Sequence, residues 1–179
     1  STARIEFVLS DLQHYSQPVH MVKLPMRVQD IIDQVKAALD ENDLPHIHFD
    51  IHHAEQPLMA DPILLRQALL MLIQNALEAL RKDKRVTLRT TLDSKDNTLC
   101  FGVWNKGTIN LDKVANKLFE PFFTTKPHAL GIGLSMARRI AGAHGGTVYL
   151  ASNDKVRGTC FALKIPATSK ANVLAPFSD

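Results

Sequence analysis

No run of apolar residues approaches the roughly 20 needed to cross a bilayer, so the sequence offers no transmembrane helix. The opening STARIEFVLSDL lacks a basic segment followed by a signal-type apolar stretch, and secretion has no support. Cysteine is scarce. Cys100 and Cys160 are too few for a disulfide framework, and both lie in strand-like apolar stretches, where they are expected to be reduced packing residues. Neither sign of charge dominates: 21 Lys and Arg face 18 Asp and Glu, for a net charge of +3. That surplus is too small and too evenly spread to argue for nucleic acid. The one dense basic stretch, Arg81-Lys82-Asp83-Lys84-Arg85, falls between a helix pattern and a strand pattern and reads as a solvated turn. With 45% hydrophobic and 22% charged residues the chain is no candidate for general disorder. Its 179 residues suffice for one domain with a full core and not for two ordinary ones. The chain reads as a piece of a longer protein, and the rest of that protein could hold a membrane anchor.

Residues 1–16 resemble the last turns of a helix, with Ile5, Val8, Leu9 and Leu12 at helical spacing. Pro18 and Pro25 bracket an extended stretch, and Asp30–Leu39 returns to a helical period. From His46 to His52 the period becomes 2, with Ile47, Phe49 and Ile51 on one side and His46, His48, Asp50 and His52 on the other, which is a half-buried strand. Asp61-Pro62 opens the strongest helix: Asp61 can cap free N–H groups, Pro62 suits the first turn, and Leu65, Leu69, Leu72, Ile73, Ala76 and Leu80 follow in register. Strand patterns Val86–Leu92 and Leu99–Trp104 flank the polar turn at 93–97, and residues 105–133 are irregular. Leu134–Ala143 reads as a helix stopped by Gly145-Gly146, and Thr147–Ala151 and Cys160–Ile165 read as strands around a turn at Asn153-Asp154. There is no internal repeat. Irregular alternation with terminal hairpins predicts an α+β fold, a two-layer α/β sandwich whose mixed, mostly antiparallel sheet carries helices on one face.

Four separated segments each offer something a nucleotide needs. In Gln67–Glu78 the residues Gln67, Met71, Asn75 and Glu78 share one helical stripe, and Asn75 interrupts an otherwise apolar helix with a carbonyl oxygen suited to a hard cation. In Val103-Trp104-Asn105-Lys106-Gly107, Asn105 could hydrogen-bond a purine edge at a strand end, and Gly107 permits a sharp turn and close approach to a ligand. Phe119-Glu120-Pro121-Phe122-Phe123-Thr124-Thr125-Lys126 has neither period and suggests a loop anchored by aromatics. Gly131-Ile132-Gly133-Leu134 directly precedes a helix, where free N–H groups and the helix dipole favour phosphate. It lacks the spacing of a P-loop and the preceding strand of a Rossmann turn.

In this order the segments resemble the catalytic ATP-binding domain of sensor histidine kinases, within the GHKL (Bergerat-fold) ATPase superfamily. The resemblance covers about residues 20–166: Asp61–Ala79 is similar to the N box, Val103–Gly107 to the G1 box, Phe119–Lys126 to the F box and Gly131–Leu134 to the G2 box. Residues 1–19 then resemble the end of a dimerisation-domain helix with its linker, and 167–179 a C-terminal linker or tail. The resemblance implies ATP and Mg²⁺ as cofactors, held between helices under a lid. Asn75 would carry Mg²⁺ at the catalytic centre with Glu78 beside it; Asn105 would face the adenine amino group and Gly107 the adenine floor. Phe122 and Lys126 would belong to the lid, while Gly131, Ile132, Gly133 and Leu134 would wrap the phosphates and Thr159 would support the adenine site. It further implies transfer of the γ-phosphoryl to a histidine on a dimerisation domain absent from this chain, then to a response-regulator receiver domain, in a homodimeric parent. This domain would be cytoplasmic, in a parent that could be an inner-membrane protein.

The sequence departs from the family pattern in three places. Met71 stands where many members carry a second Asn and where ATP-hydrolysing relatives carry a Glu base; a thioether cannot activate water. Asn105 replaces the usual Asp, and Thr108-Ile109 follow Gly107 without the usual second glycine. Ala129 stands where the G2 box often begins with glycine. These changes leave an alternative: a degenerate module with weak nucleotide binding that acts through protein contacts or phosphatase support. His14 lacks the acidic neighbour that commonly follows an acceptor histidine. His46, His48, His52 and His53 have no companion cysteine or obvious fourth ligand and read as a polar strand side, and His144 reads as a helix-end residue favoured by the dipole.

Overall fold

Val28, Ile31, Ile32 and Val35 recur at helical intervals and are fully buried, so Val28–Ala38 (α1) forms with one face in the core. The computed structural model describes residues 20–80, 85–114, 117–121 and 133–168. Leu24–Arg27 (β1) leads into α1, whose start is fixed by Arg27: its backbone N–H donates to the Asp30 carboxylate at 2.8 Å, and its guanidinium meets Asp30 and Glu55. That guanidinium holds the Asp30 carboxyl below its ordinary range, chiefly by side-chain hydrogen bonding. After Ile47–Ile51 (β2) comes Pro57–Ala60 (β3), which pairs antiparallel with β1 in a separate two-stranded sheet.

Pro62–Ala79 (α2) begins as the sequence predicts. Asp61 Oδ1 accepts from the N–H groups of Ile63 at 3.0 Å and Leu64 at 3.1 Å, satisfying two of the donors a helix start leaves open. Leu65, Ala68, Leu69, Leu72, Ile73 and Ala76 form its buried stripe. The helix carries the chain from β2 to Val86–Asp93 (β4), which lies parallel to β2, a pairing that requires such a crossover. Thr98–Asn105 (β5) returns antiparallel to β4. A four-residue helix, Leu111–Val114 (α3), interrupts the stretch that the sequence reads as irregular.

Gly133–Ala143 (α4) ends in a Schellman arrangement. Gly145, at φ +80°, donates to Gly142 O at 3.0 Å, and Gly146 donates to Ala141 O at 2.8 Å. Thr147–Asp154 (β6) and Gly158–Pro166 (β7) close the sheet, whose order is β2-β4-β5-β7-β6 with every pair antiparallel except β2–β4. The last hairpin therefore turns at 155–157, after the Asn153-Asp154 pair that the sequence suggests as the turn. A register shift between Leu150 and Ser152 carries β6 further along β7 than simple alternation implies.

Val86, Leu88, Leu99, Phe101, Val103, Val148, Leu163 and Ile165 point from the sheet into one core with the buried stripes of α1, α2 and α4. This is the expected two-layer sandwich. On the opposite face, which no described helix covers, Arg89 lies 5.4 Å from the Trp104 ring and pairs with Asp50, whose carboxyl its hydrogen bond holds below the ordinary range. Among the described residues no helix is long and apolar enough to cross a membrane.

Candidate functional site

At the end of β5 the core face changes character. Asn105 and Thr159, at 6% and 3% exposure, are cross-strand neighbours in a position where the pattern otherwise delivers apolar side chains. The Asn105 Nδ2 donates to Lys106 O at 3.0 Å, and its Oδ1 accepts no hydrogen bond from the described residues. Gly107 follows at φ +115°, a backbone conformation that glycine adopts without strain, and its carbonyl accepts from the Thr159 hydroxyl at 2.9 Å. Asn105, Gly107 and Thr159, 54 positions apart at the extremes, thus form one cluster. The clustering is a product of the β5–β7 register. A carboxamide acceptor beside a glycine turn is a fitting counterpart for the exocyclic amino group of adenine.

Asn75 lies in the C-terminal half of α2 and is half-buried, as are Gln67 and Met71 on the same stripe, while Glu78 is exposed and accepts from Gln74 Nε2 at 3.1 Å. The stripe is therefore the face of α2 that the core leaves partly open. Oxygen donors of this type suit a hard cation. Next to α2 packs α4, and at its start stand Gly133 and Leu134, where backbone N–H groups have no acceptor within the helix and the dipole is positive. A Cβ on Gly133 would touch nothing within 4 Å, and Gly133 and Leu134 are half-buried. Phe122, Lys126, Gly131 and Ile132 lie outside the described residues. The neighbouring Phe119 meets the Phe161 ring edge-on at 6.0 Å and takes the Arg138 guanidinium over its face at 4.5 Å, as expected for an aromatic anchor. A cleft of about 230 Å³ between Phe119, Pro121, Ser135, Arg138 and Arg139 opens beside the first turns of α4.

Two residues, His144 and Asn153, act differently from the sequence reading. His144 is 4% exposed, and more than the dipole holds it. Its Nε2 accepts from the Asp61 N–H at 3.0 Å and its Nδ1 lies 2.8 Å from Ile140 O, which fixes the proton on Nδ1 and joins the end of α4 to the cap of α2. The other Asp61 oxygen accepts from Val22 N at 2.9 Å, so the entering chain is tied to the same cap. Asn153, read as part of a turn, instead holds the loop after Asn105: its Oδ1 accepts from Ile109 N at 2.8 Å and its Nδ2 donates to Ile109 O at 2.9 Å. No local signal distinguishes such an Asn from a turn residue, because its partner is 44 positions away.

Burial pushes the Cys160 thiol up to about 12 and the Cys100 thiol up as well, so neither is a nucleophile at neutral pH. His52 lies 3.0 Å from the Asp50 carboxylate, and His48 and His52 are exposed along the polar side of β2.

Comparison with known proteins places this arrangement. The family described as "Histidine kinase-, DNA gyrase B-, and HSP90-like ATPase" matches residues 60–169. Sensor protein FixL of Bradyrhizobium diazoefficiens is 34% identical over 125 residues, covering 69% of this chain and 25% of that protein. Signal transduction histidine-protein kinase AtoS of Escherichia coli is 30% identical over 173 residues, covering 94% of this chain and 28% of that protein. The chain thus spans about a quarter of the length of these curated relatives. The catalytic domain of histidine kinase ThkA superposes with a TM-score of 0.66 at 28% identity, covering 82% of this chain and 96% of that domain. The chain belongs to the histidine kinase-, DNA gyrase B- and HSP90-like ATPase family, and is an ATP-binding catalytic domain of the sensor histidine kinase type.

Proposed function

We propose that this chain binds Mg²⁺-ATP and catalyses transfer of the γ-phosphoryl group to a histidine on a dimerisation domain of the same parent, from which it passes to a response-regulator receiver domain. The single observation that carries the reading is the Asn105 Oδ1 acceptor beside Gly107 and Thr159, a polar cluster at the end of an apolar sheet face. The names of the relatives support it: AtoS is a histidine-protein kinase, NtrB of Rhizobium meliloti is a sensory histidine kinase/phosphatase, and a ThkA structure is a complex with a response regulator protein.

In this reading Asn105 accepts from the adenine amino group, Gly107 forms the floor beneath the base, and Thr159 keeps that floor in place. Asn75 and Glu78 stand on the metal side; Gly131, Ile132, Gly133 and Leu134 surround the phosphates, with Phe122 and Lys126 in the segment above them. Bound Mg²⁺ would neutralise charge on the β- and γ-phosphate oxygens. The transfer breaks the bond between Pγ and the β,γ-bridging oxygen, forms a bond from Pγ to a ring nitrogen of the acceptor histidine, and releases ADP. This chain contributes position and charge stabilisation. It offers no base for water at Met71, whose thioether has no useful proton affinity, so the acceptor histidine and not water is the expected nucleophile.

Titration with a non-hydrolysable ATP analogue tests the binding half of the reading. Saturable binding that tightens with Mg²⁺ is expected. Absence of saturable binding by the folded chain would instead favour the module that works through protein contacts.

A further inference from the structure

Asn105 ends its strand, and the residues after it leave the sheet ladder, yet they are not loosely held. Gly107 O accepts from the Thr159 hydroxyl at 2.9 Å, and both backbone groups of Ile109 are taken by the Asn153 carboxamide at 2.8 and 2.9 Å. Asn153 and Thr159 are themselves cross-strand partners at the turn end of the β6–β7 hairpin, with Thr159 Oγ1 3.2 Å from Asn153 Oδ1. A carboxamide presents one acceptor and one donor in a plane, so Asn153 reproduces at Ile109 the pair of bonds that a neighbouring strand would make. Aspartate would lose the donor and alanine both groups. Gly107 restrains its own backbone little, so these two side chains help to define the path from Gly107 to Ile109.

We propose that Asn153 is a positioning residue for the base end of the nucleotide site: it fixes the 107–109 loop against the β6–β7 hairpin, and so fixes the wall next to Asn105 Oδ1. The inference rests on the nucleotide-binding reading above. Asn153 touches no reacting atom in it. Among the described residues its hydrogen bonds run to Ile109 and Thr159 and none to α2 or α4, so its influence is expected at the base end of the site.

The test compares wild type and Asn153→Ala, using ATP, ADP and tripolyphosphate as probes of the base and phosphate ends. Asn153→Ala is expected to weaken ATP and ADP by the same factor, about tenfold, equivalent to about 1.4 kcal/mol. Tripolyphosphate affinity should be unchanged, and in phosphotransfer assays KM for ATP should rise while kcat at saturating ATP stays the same. A role limited to general stability would lower the folded fraction without separating the two ends. Amide exchange supplies a second readout, with the Ile109 N–H protected in wild type and fast in the variant. Equal ATP affinity in variant and wild type, or equal losses for ATP and tripolyphosphate, would overturn the inference alone. Failure of the wild-type chain to bind ATP would overturn the kinase reading and the inference together.

Discussion

Asn75→Ala is expected to lose Mg²⁺-dependent ATP affinity by one to a few kcal/mol, about fivefold to several hundredfold, which is the scale of leaving a polar partner unsatisfied. Phosphotransfer at fixed ATP should fall at least as far. The side chain sits half-buried on the open stripe of α2, with the apolar residues of the same helix turned into the core. Alanine is the better helix former, and circular dichroism of the variant confirms its fold before the titration is read. Asn75→Asp keeps an oxygen donor and should retain part of the metal-dependent affinity. Calorimetric titration with and without Mg²⁺ separates the cases. An unchanged Mg²⁺ effect in folded Asn75→Ala would remove Asn75 from the metal site.

The largest stability effect is expected at Gly146. A Cβ there would overlap the Lys164 carbonyl oxygen and carbon of β7, which are backbone atoms with nowhere to move inside the β6–β7 pairing. Gly146→Ala should cost about 3 kcal/mol or more, the range of overpacking against a fixed neighbour. Two functions meet at this point, since the Gly146 N–H also closes α4 onto Ala141 O. Gly142→Ala is the control. Gly142 is exposed in the last turn of the same helix with no atom within 4 Å of a Cβ, so the change should be neutral or stabilising by up to about 1 kcal/mol. Urea denaturation at constant slope reads both. Matching midpoints for the two variants would show that the approach of Gly146 to Lys164 does not constrain the fold.

Where local signals and tertiary packing agree, the fold is legible from residue order. The α2 helix is the clearest case, because the Asp61 cap, Pro62 in the first turn and six apolar positions at one period all point the same way. β3 is not legible: Pro57–Ala60 is too short for alternation to register, and it becomes a strand by pairing with β1 some 30 positions earlier. The four residues of α3 escape for the same reason. At the site, Asn105, Gly107 and Thr159 are identifiable from motif order, while their contact depends on strand register. Asn153 and His144 belong to a class that residue order does not reveal. Each bonds a backbone group 44 or 83 positions away, and only the assembled chain shows that one holds a loop and the other joins two helices.

The measurement closest to the central claim is incubation of the chain with γ-labelled ATP, Mg²⁺ and the dimerisation domain of the same parent. With Met71 on the stripe in place of a carboxylate and Asn75 one turn further along, transfer to a positioned histidine is expected rather than attack by water. The account predicts acid-labile, base-stable label on the dimerisation domain and little free phosphate from the chain alone. Robust release of free phosphate without any partner, and no label on the dimerisation domain when it is present, would contradict it.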